Sequence, residues 1–361
     1  MPDENVNIPP AESAADRRRP TIREVARQAG VSTVTVSRVC NEPDKVVPAT
    51  RARVEAAMRS LGYIPNLAAR AMRTQATRTI GILIPSLTAY PNAAVAQAAA
   101  DRLAERGYAM LLASSDQQIQ RECAALDLLR TRQVDGIILY VSDQTDPQVQ
   151  AGLRAVDVPL VLLDRDLPIS ADRVCTDHAA AMTALVARLA LLGHRRLALV
   201  QQTFAIRPTL ERRRHFLAAG LAAGLEPAGL LPVGLVPGQE MAAELGRLLD
   251  DENRPSAVIA EGSRLLLALL HACRERGLTV PEDLSLAALD AEDVAMAASP
   301  EVSSVVRDFG AIGRAAADMM LARLADPAAP ARMVELPSRF VDRTSLAPPA
   351  HSPGGPPFSP A

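Results

Sequence analysis

TIREVARQAGVSTVTVSRVCN, residues 21–41, reads as two short helices joined by a tight turn. Thr21 is placed to cap the first helix, in which Ile22, Val25, Ala26 and Ala29 recur at helical spacing while Arg23, Glu24, Arg27 and Gln28 face water. Gly30 ends it, because a sharp helix-to-helix turn needs left-handed backbone that glycine adopts without steric cost. Val31 fills the crease between the helices, and Ser32 caps the second one, whose Val36 and Val39 point inward. Its outer face is left with Thr33, Val34, Thr35, Ser37 and Arg38, short hydroxyls and one guanidinium suited to phosphates and base edges.

An ordinary pair of core helices has the same spacing, so the flanks matter. Between Arg17 and Arg78 thirteen Lys or Arg face four acids, a local charge of +9, whereas the whole chain carries −2. A basic head on an acidic body is the electrostatic footprint of a nucleic-acid-binding module joined to a non-binding one. At 361 residues with 48% apolar and 22% charged content, the chain has room for more than one globular domain. No apolar run is long enough to span a bilayer, and the polar N-terminus lacks the apolar segment of a secretory signal, so a cytoplasmic location and no membrane partner are expected. Cys40, Cys123, Cys175 and Cys273 are far apart, without C-x-x-C spacing; they read as small buried apolar residues, with no metal and no cofactor expected.

Working along the chain, residues 1–19 read as a disordered arm and 20–64 as the helix-turn-helix domain, completed by a third helix from Ala49 to Leu61 that packs Val54, Ala57, Met58 and Leu61 on the first two. Residues 65–78 form either a flexible linker or a hinge helix that folds only against DNA, pressing Met72 between base pairs of the minor groove. From Thr79 short apolar strands alternate with amphipathic helices: TIGILI (79–84), YAMLLA (108–113), GIILY (136–140), LVLLD (160–164), RLALVQ (196–201), VGLV (233–236), AVIA (257–260) and LSLAAL (284–289). Such strands imply parallel sheets covered on both faces, with ligand at the carboxyl ends of the strands. The fold class is therefore an α/β core of two parallel-sheet subdomains preceded by an all-α head and hinge helix. The core spans 79–346, one subdomain from 79–163 plus 291–320 and the other from 164–290 plus 321–346; a Pro-rich tail, 347–361, reads as disordered.

The combination TIREVARQAGVS (21–32), TVSRV (35–39), LGYIPN (61–66), RTIGILIP (78–85), VDGIIL (134–139), LLDR (162–165), LGHRRLA (192–198), VPEDLS (280–285) and VDRTS (341–345) resembles the lactose-repressor and galactose-repressor family of bacterial transcription regulators from about Thr21 to Leu346. That resemblance implies a homodimer on double-stranded DNA with a pseudo-palindromic operator, a core like periplasmic sugar-binding proteins, and a small-molecule effector, such as a sugar, sugar derivative, sugar acid or purine, that changes operator affinity. Carried over by position, it places Thr33, Val34 and Arg38 at base edges and Thr21, Ser32, Thr35, Ser37 and Asn41 at phosphates. Asn66, Ala69, Met72 and Arg73 fall in the hinge, Met72 standing where the family usually has a leucine wedge. On the effector side it points to Asp290 in AALDAED, Arg212 in ERRRHF, Asp177, Arg165 and, from the loop after GIILY, Asp143.

The chain departs from the family's pattern at Ala89-Tyr90-Pro91-Asn92 and at Gly262-Ser263, which take the places of an Asn-Pro-Phe-Phe and an Asn-Asp. With no tryptophan and five phenylalanines, the pocket either binds something polar or has drifted from ligand use. Alternatives to an effector-responsive repressor are therefore a constitutive DNA-binding regulator and a solute-binding protein. A nucleotide-dependent enzyme has no G-x-G-x-x-G after a strand, no P-loop and no plausible Ser/His/Asp set to support it, so no enzyme activity is expected.

Overall fold

Thr21 closes a capping box on α1 (Ile22–Ala29): its hydroxyl accepts from the Glu24 amide at 3.4 Å, and the Glu24 carboxylate accepts from the Thr21 amide at 2.6 Å. In this computed structural model, which describes residues 20–64, 76–235 and 241–350, Gly30 ends the helix at φ 64°, in the left-handed region. Ser32 then starts α2 (Thr33–Asn41) by accepting from the Thr35 amide at 3.1 Å. After a 3₁₀ turn at Pro43–Lys45, α3 (Pro48–Leu61) opens on a proline at its first position. Val25, Ala26, Ala29, Val36, Val39, Val54 and Ala57 are buried together, with Met58 and Leu61 packed partly against them. The head is thus the three-helix unit that its apolar spacing predicts.

The unit from Arg78 onward is an α/β core. Its elements run β1 (Thr79–Ile84), α4 (Tyr90–Ala104), β2 (Ala109–Ser114), α5 (Ile119–Thr131), β3 (Gly136–Leu139), α6 (Pro147–Arg154), β4 (Leu160–Leu163), β5 (Asp172–Asp177), α7 (Ala179–Leu191) and β6 (Leu197–Gln202). They continue with α8 (Arg207–Ala222), β7 (Leu230–Leu235), α9 (Met241–Asp250), β8 (Ala257–Glu261), α10 (Gly262–Glu275), β9 (Ser285–Leu289), α11 (Glu292–Ala297), β10 (Ser303–Arg307), α12 (Phe309–Ala325) and β11 (Met333–Val341). Among the described residues no helix is long and apolar enough to cross a membrane.

All eight expected strands are present within a few residues, and their alternate side chains feed opposite layers. Ile80, Ile82 and Ile138 face one cluster, while Leu83, Ile137 and Leu139 face another. Ala198, Val200 and Val258 are likewise divided from Leu197, Leu199 and Ile259. Helices therefore cover both faces, as continuous apolar strands require. Three further strands were not legible: β5, β10 and β11 read DRVCTD, SSVVR and MVELPSRFV, too polar to look like buried strands.

Those three strands decide the topology. The strand order is β2-β1-β3-β4-β5-β11-β10-β9-β8-β6-β7, so two parallel halves are joined into one array through β11. Met333 to Pro337 run parallel to β5, and Ser338 to Val341 run antiparallel to β10. Pro337 stands at the switch, where losing a ladder donor does least harm. Strand pairing divides the core after Asp177, after Arg307 and at Pro337/Ser338, where the sequence reading expected boundaries at 164, 291 and 321. Beyond β10, α12 returns to the first half and packs Ile312, Ala316 and Met320 against Val95, Ala99 and Leu103 of α4. Gly313 permits this approach, since a Cβ there would lie 2.3 Å from the Val95 carbonyl oxygen. Ala347, expected to open the disordered tail, is tied to Ser285, whose hydroxyl donates to its carbonyl and accepts from its amide.

Candidate nucleic-acid interface and effector cleft

In the head, Thr33, Val34 and Arg38 are exposed along one side of α2, Val34 at 64%. Thr35, Ser37 and Asn41 are half-buried and linked to the helix: the Thr35 hydroxyl lies 2.9 Å from that of Ser32, and Asn41 Nδ2 donates to the Ser37 carbonyl at 2.6 Å. Thr21 is exposed, with its hydroxyl donating to Glu24. A groove beside this face is lined by Ser32, Thr35, Arg38, Lys45, Thr50 and Arg53. Lys45, Thr50 and Arg53 were not singled out from sequence, although the Thr50 and Arg53 spacing of three on a helix signals one shared face. Three cations and three hydroxyls in one groove suit a phosphate backbone. Asn66, Ala69, Met72 and Arg73, and with them the hinge helix, lie outside the described residues.

The cleft is built at the carboxyl ends of the strands. Asp164 follows β4 and Asp290 follows β9, each with positive φ, 49° and 54°, a conformation uncommon outside glycine. Arg307, the last residue of β10, grips Asp290 with two nitrogens, Nε to Oδ1 at 2.8 Å and Nη2 to Oδ2 at 2.6 Å. Its Nη1 reaches Asp164 Oδ2 at 2.5 Å and the Thr176 hydroxyl at 3.2 Å. Arg212, on α8, pairs with both Asp290 and Glu261. Thr176 in turn donates its amide to Asp164 Oδ1 at 2.7 Å. The result is a buried chain of alternating charges linking the two halves of the core.

Burial would raise the Asp290 pKa, but Arg212 and Arg307 more than offset it and hold the carboxyl below the usual range. The same partnership holds Arg307 above the usual guanidinium range despite its burial, through Asp290 and then Asp164. Arg165 differs: burial lowers it to about 10, with Asp164, Tyr140 and Glu122 offsetting part of the cost. Its Nε donates to the Val141 carbonyl at 2.6 Å and its Nη1 to the Asp164 carbonyl at 2.8 Å, so these two nitrogens serve the backbone beneath the cleft.

The effector candidates thus separate. Arg212 and Asp290 meet directly, and Arg165 supports the loop that carries Asp164. Asp177 accepts from the Ala179 amide at 2.7 Å and Asp143 from the amide and hydroxyl of Thr145, both at 2.7 Å. These two acids hold local turns and are not brought into the charge chain. Arg307, Glu261 and Thr176, which are, had no motif to mark them. At the rim, Arg207 Nη1 meets Asp166 at 2.9 Å and its Nη2 meets Glu335 at 3.0 Å. Gln144 Oε1 accepts from the amides of Asp166 and Arg207, each at 3.1 Å, so the rim also bridges the halves.

A family model described as bacterial regulatory proteins, lacI family, matches residues 21–66, and a periplasmic binding protein-like domain matches 186–346. The HTH-type transcriptional regulator CelR of Thermobifida fusca is 34% identical, over 88% of this chain and 96% of that protein. Among solved structures, a CelR–cellobiose complex superposes with a TM-score of 0.66 at 29% identity over 91% of this chain and all of that one. The lac repressor dimer bound to operator and an anti-inducer superposes at 0.81, with 24% identity over 91% and 100% of the two chains.

Proposed function

The chain belongs to the lacI family of bacterial regulatory proteins and is a DNA-binding transcription regulator, and we propose that it works as a dimeric, effector-responsive repressor acting in the cytoplasm. A pair of heads related by a two-fold axis binds a pseudo-palindromic operator. Thr33, Val34 and Arg38 read base edges, Arg38 through a bidentate contact to guanine that contributes roughly 1–3 kcal/mol of discrimination. Thr21, Ser32, Thr35, Ser37 and Asn41 contact phosphates, with Asn66, Ala69, Met72 and Arg73 acting in the hinge.

What carries the effector half is that Arg212 and Asp290, 78 residues apart in the chain, are buried together at the strand ends with Arg307 and Asp164. Such convergent polar groups in a parallel-sheet cleft suit a polyhydroxylated ligand, and the CelR relative whose complex contains cellobiose supports a sugar-like effector. A ligand that exchanges its hydroxyls for part of the Arg212–Asp290–Arg307 pairing binds the two arrangements of the core unequally, and that difference is what alters operator affinity. The constitutive reading is favoured by one observation: in this structure Asp164, Asp290 and Glu261 are each already paired with Arg307 or Arg212.

Capture of fragmented genomic DNA by the full chain, sequenced at rising salt, tests the operator half. A few sites sharing a pseudo-palindrome survive at high salt if the assignment is right; a background that fades uniformly overturns it. Melting shifts and operator release with a panel of sugars and sugar acids separate the responsive regulator from the constitutive one.

A further inference from the structure

At the amino ends of β4 and β5, the opposite end of these strands from the cleft, lies a cavity of about 620 Å³, the size of a small-molecule site. Leu160 in its wall opens β4, roughly 13 Å along the strand from Asp164, and no residue of the charge chain lines it. Val156, Val158, Leu160 and Ile169, each half-buried, make an apolar wall, and the loop from α12 to β11 closes the far side. The polar floor is saturated. Arg323 gives Nε to Asp172 Oδ2 and Nη2 to Asp172 Oδ1, both at 2.9 Å, and its remaining N–H groups to the carbonyls of Pro327, Ala329 and Pro330. Asp172 Oδ1 also accepts from the Arg332 amide at 2.8 Å. The mouth differs from the floor. Arg154, the last residue of α6, and Asp157 are both exposed there; among the described residues neither enters an ion pair, and Arg154 gives a hydrogen bond only to Gln150, at 3.1 Å. A bound molecule therefore meets one cation and one anion at the mouth and an apolar wall inside.

We propose that this cavity binds a free α-amino acid with a large apolar side chain, its carboxylate on Arg154, its ammonium on Asp157 and its side chain against Val156, Val158, Leu160 and Ile169. A zwitterion answers both charges of the mouth, and a guanidinium edge suits a carboxylate in particular. An anion without an ammonium leaves Asp157 facing a like charge. A sugar sets hydroxyls against an apolar wall that offers them no partner, over a floor whose donors are spent. The site is separate from the effector cleft and takes a different class of ligand.

The test is calorimetric titration of the full-length protein with leucine, phenylalanine and tryptophan, against glycine, 3-phenylpropionate and phenethylamine. At least one of the three large amino acids is expected to bind, one per chain, while glycine, which lacks the apolar body, gives no heat at the same concentration. Each one-charge analogue binds roughly 3- to 10-fold more weakly than phenylalanine, the range set by a charge pair at a half-open mouth. Asp157→Asn weakens phenylalanine by the same factor and leaves 3-phenylpropionate unchanged or tighter; Arg154→Gln does the same with phenethylamine as the spared ligand. Both substitutions are at exposed positions and leave the melting temperature of the unliganded protein near that of the parent. Binding that neither substitution alters places the ligand elsewhere and overturns the proposal. Analogues that bind as tightly as phenylalanine, or glycine that binds as well, overturn it too, as does no binding by any of the three amino acids. None of these failures touches the effector reading, which concerns the cleft.

Discussion

Arg307 Nη1 lies 2.5 Å from Asp164 Oδ2, joining residues 143 apart that belong to opposite halves of the core. The same guanidinium holds Asp290, so one side chain serves both carboxylates and fastens β10 to the end of β4.

Removing that side chain leaves two buried acids undercompensated. Arg307→Met is expected to cost about 3–5 kcal/mol of folding stability, measured from urea midpoints. Adding Asp164→Asn should return part of the loss, since the second change removes one of the stranded charges. A single variant within about 0.5 kcal/mol of the parent would show that the pair contributes nothing.

On DNA the two kinds of head residue should behave differently. Arg38→Ala weakens cognate binding by roughly 1–3 kcal/mol and random DNA far less. Lys45→Ala and Arg53→Ala weaken both alike and each lower the salt slope by about one. Competition binding at several salt concentrations reads out both, and equal losses on cognate and random DNA for Arg38→Ala would end its base-reading role.

The rim bridge made by Arg207 is paired with half-exposed acids, so Arg207→Ala should change global stability by less than about 1 kcal/mol. Its effect is local. Amide exchange is expected to quicken in residues 142–145 and 205–207, where Gln144 and Arg207 meet, and unchanged protection there would show that the bridge does not hold the halves together.

His194 supplies a pH dependence of definite sign. It is buried, its Nδ1 lies 2.8 Å from the Ser256 hydroxyl, and burial lowers its pKa to about 4. The unfolded chain takes up this proton below about pH 6.5, while the native ring stays neutral until near 4. Stability present above pH 6.5 is therefore lost as pH falls through that window, about 2 kcal/mol of it by pH 5. His194→Asn should flatten the urea-midpoint profile by that amount relative to the parent, and parallel profiles would refute the assignment.

The head was legible because its signals are local. A capping threonine, a glycine able to take φ 64°, a second capping serine and apolar residues at helical spacing lie within 21 residues, and none depends on a distant partner. The eight apolar strands were legible for a related reason: a strand covered on both faces must be apolar throughout, wherever its neighbours come from. Arg212 and Asp290 stood out as candidates only through resemblance to a family, since nothing in the residues near either one points to the other.

The folded core settled what depends on partners. DRVCTD and MVELPSRFV are strands because β4, β5 and β10 offer them edges, and pairing outweighs their polar side chains. Glu122 shows the same dependence from the other side, an acid at helical spacing among surface residues that ends fully buried against the Ser142 amide. Whether a charged side chain is solvated, paired or orphaned is a property of its surroundings. Hence Arg307 and Asp164, Arg212 and Asp290 acquire their meaning from neighbours that only the fold supplies, while the helix-turn-helix carried its meaning in consecutive residues.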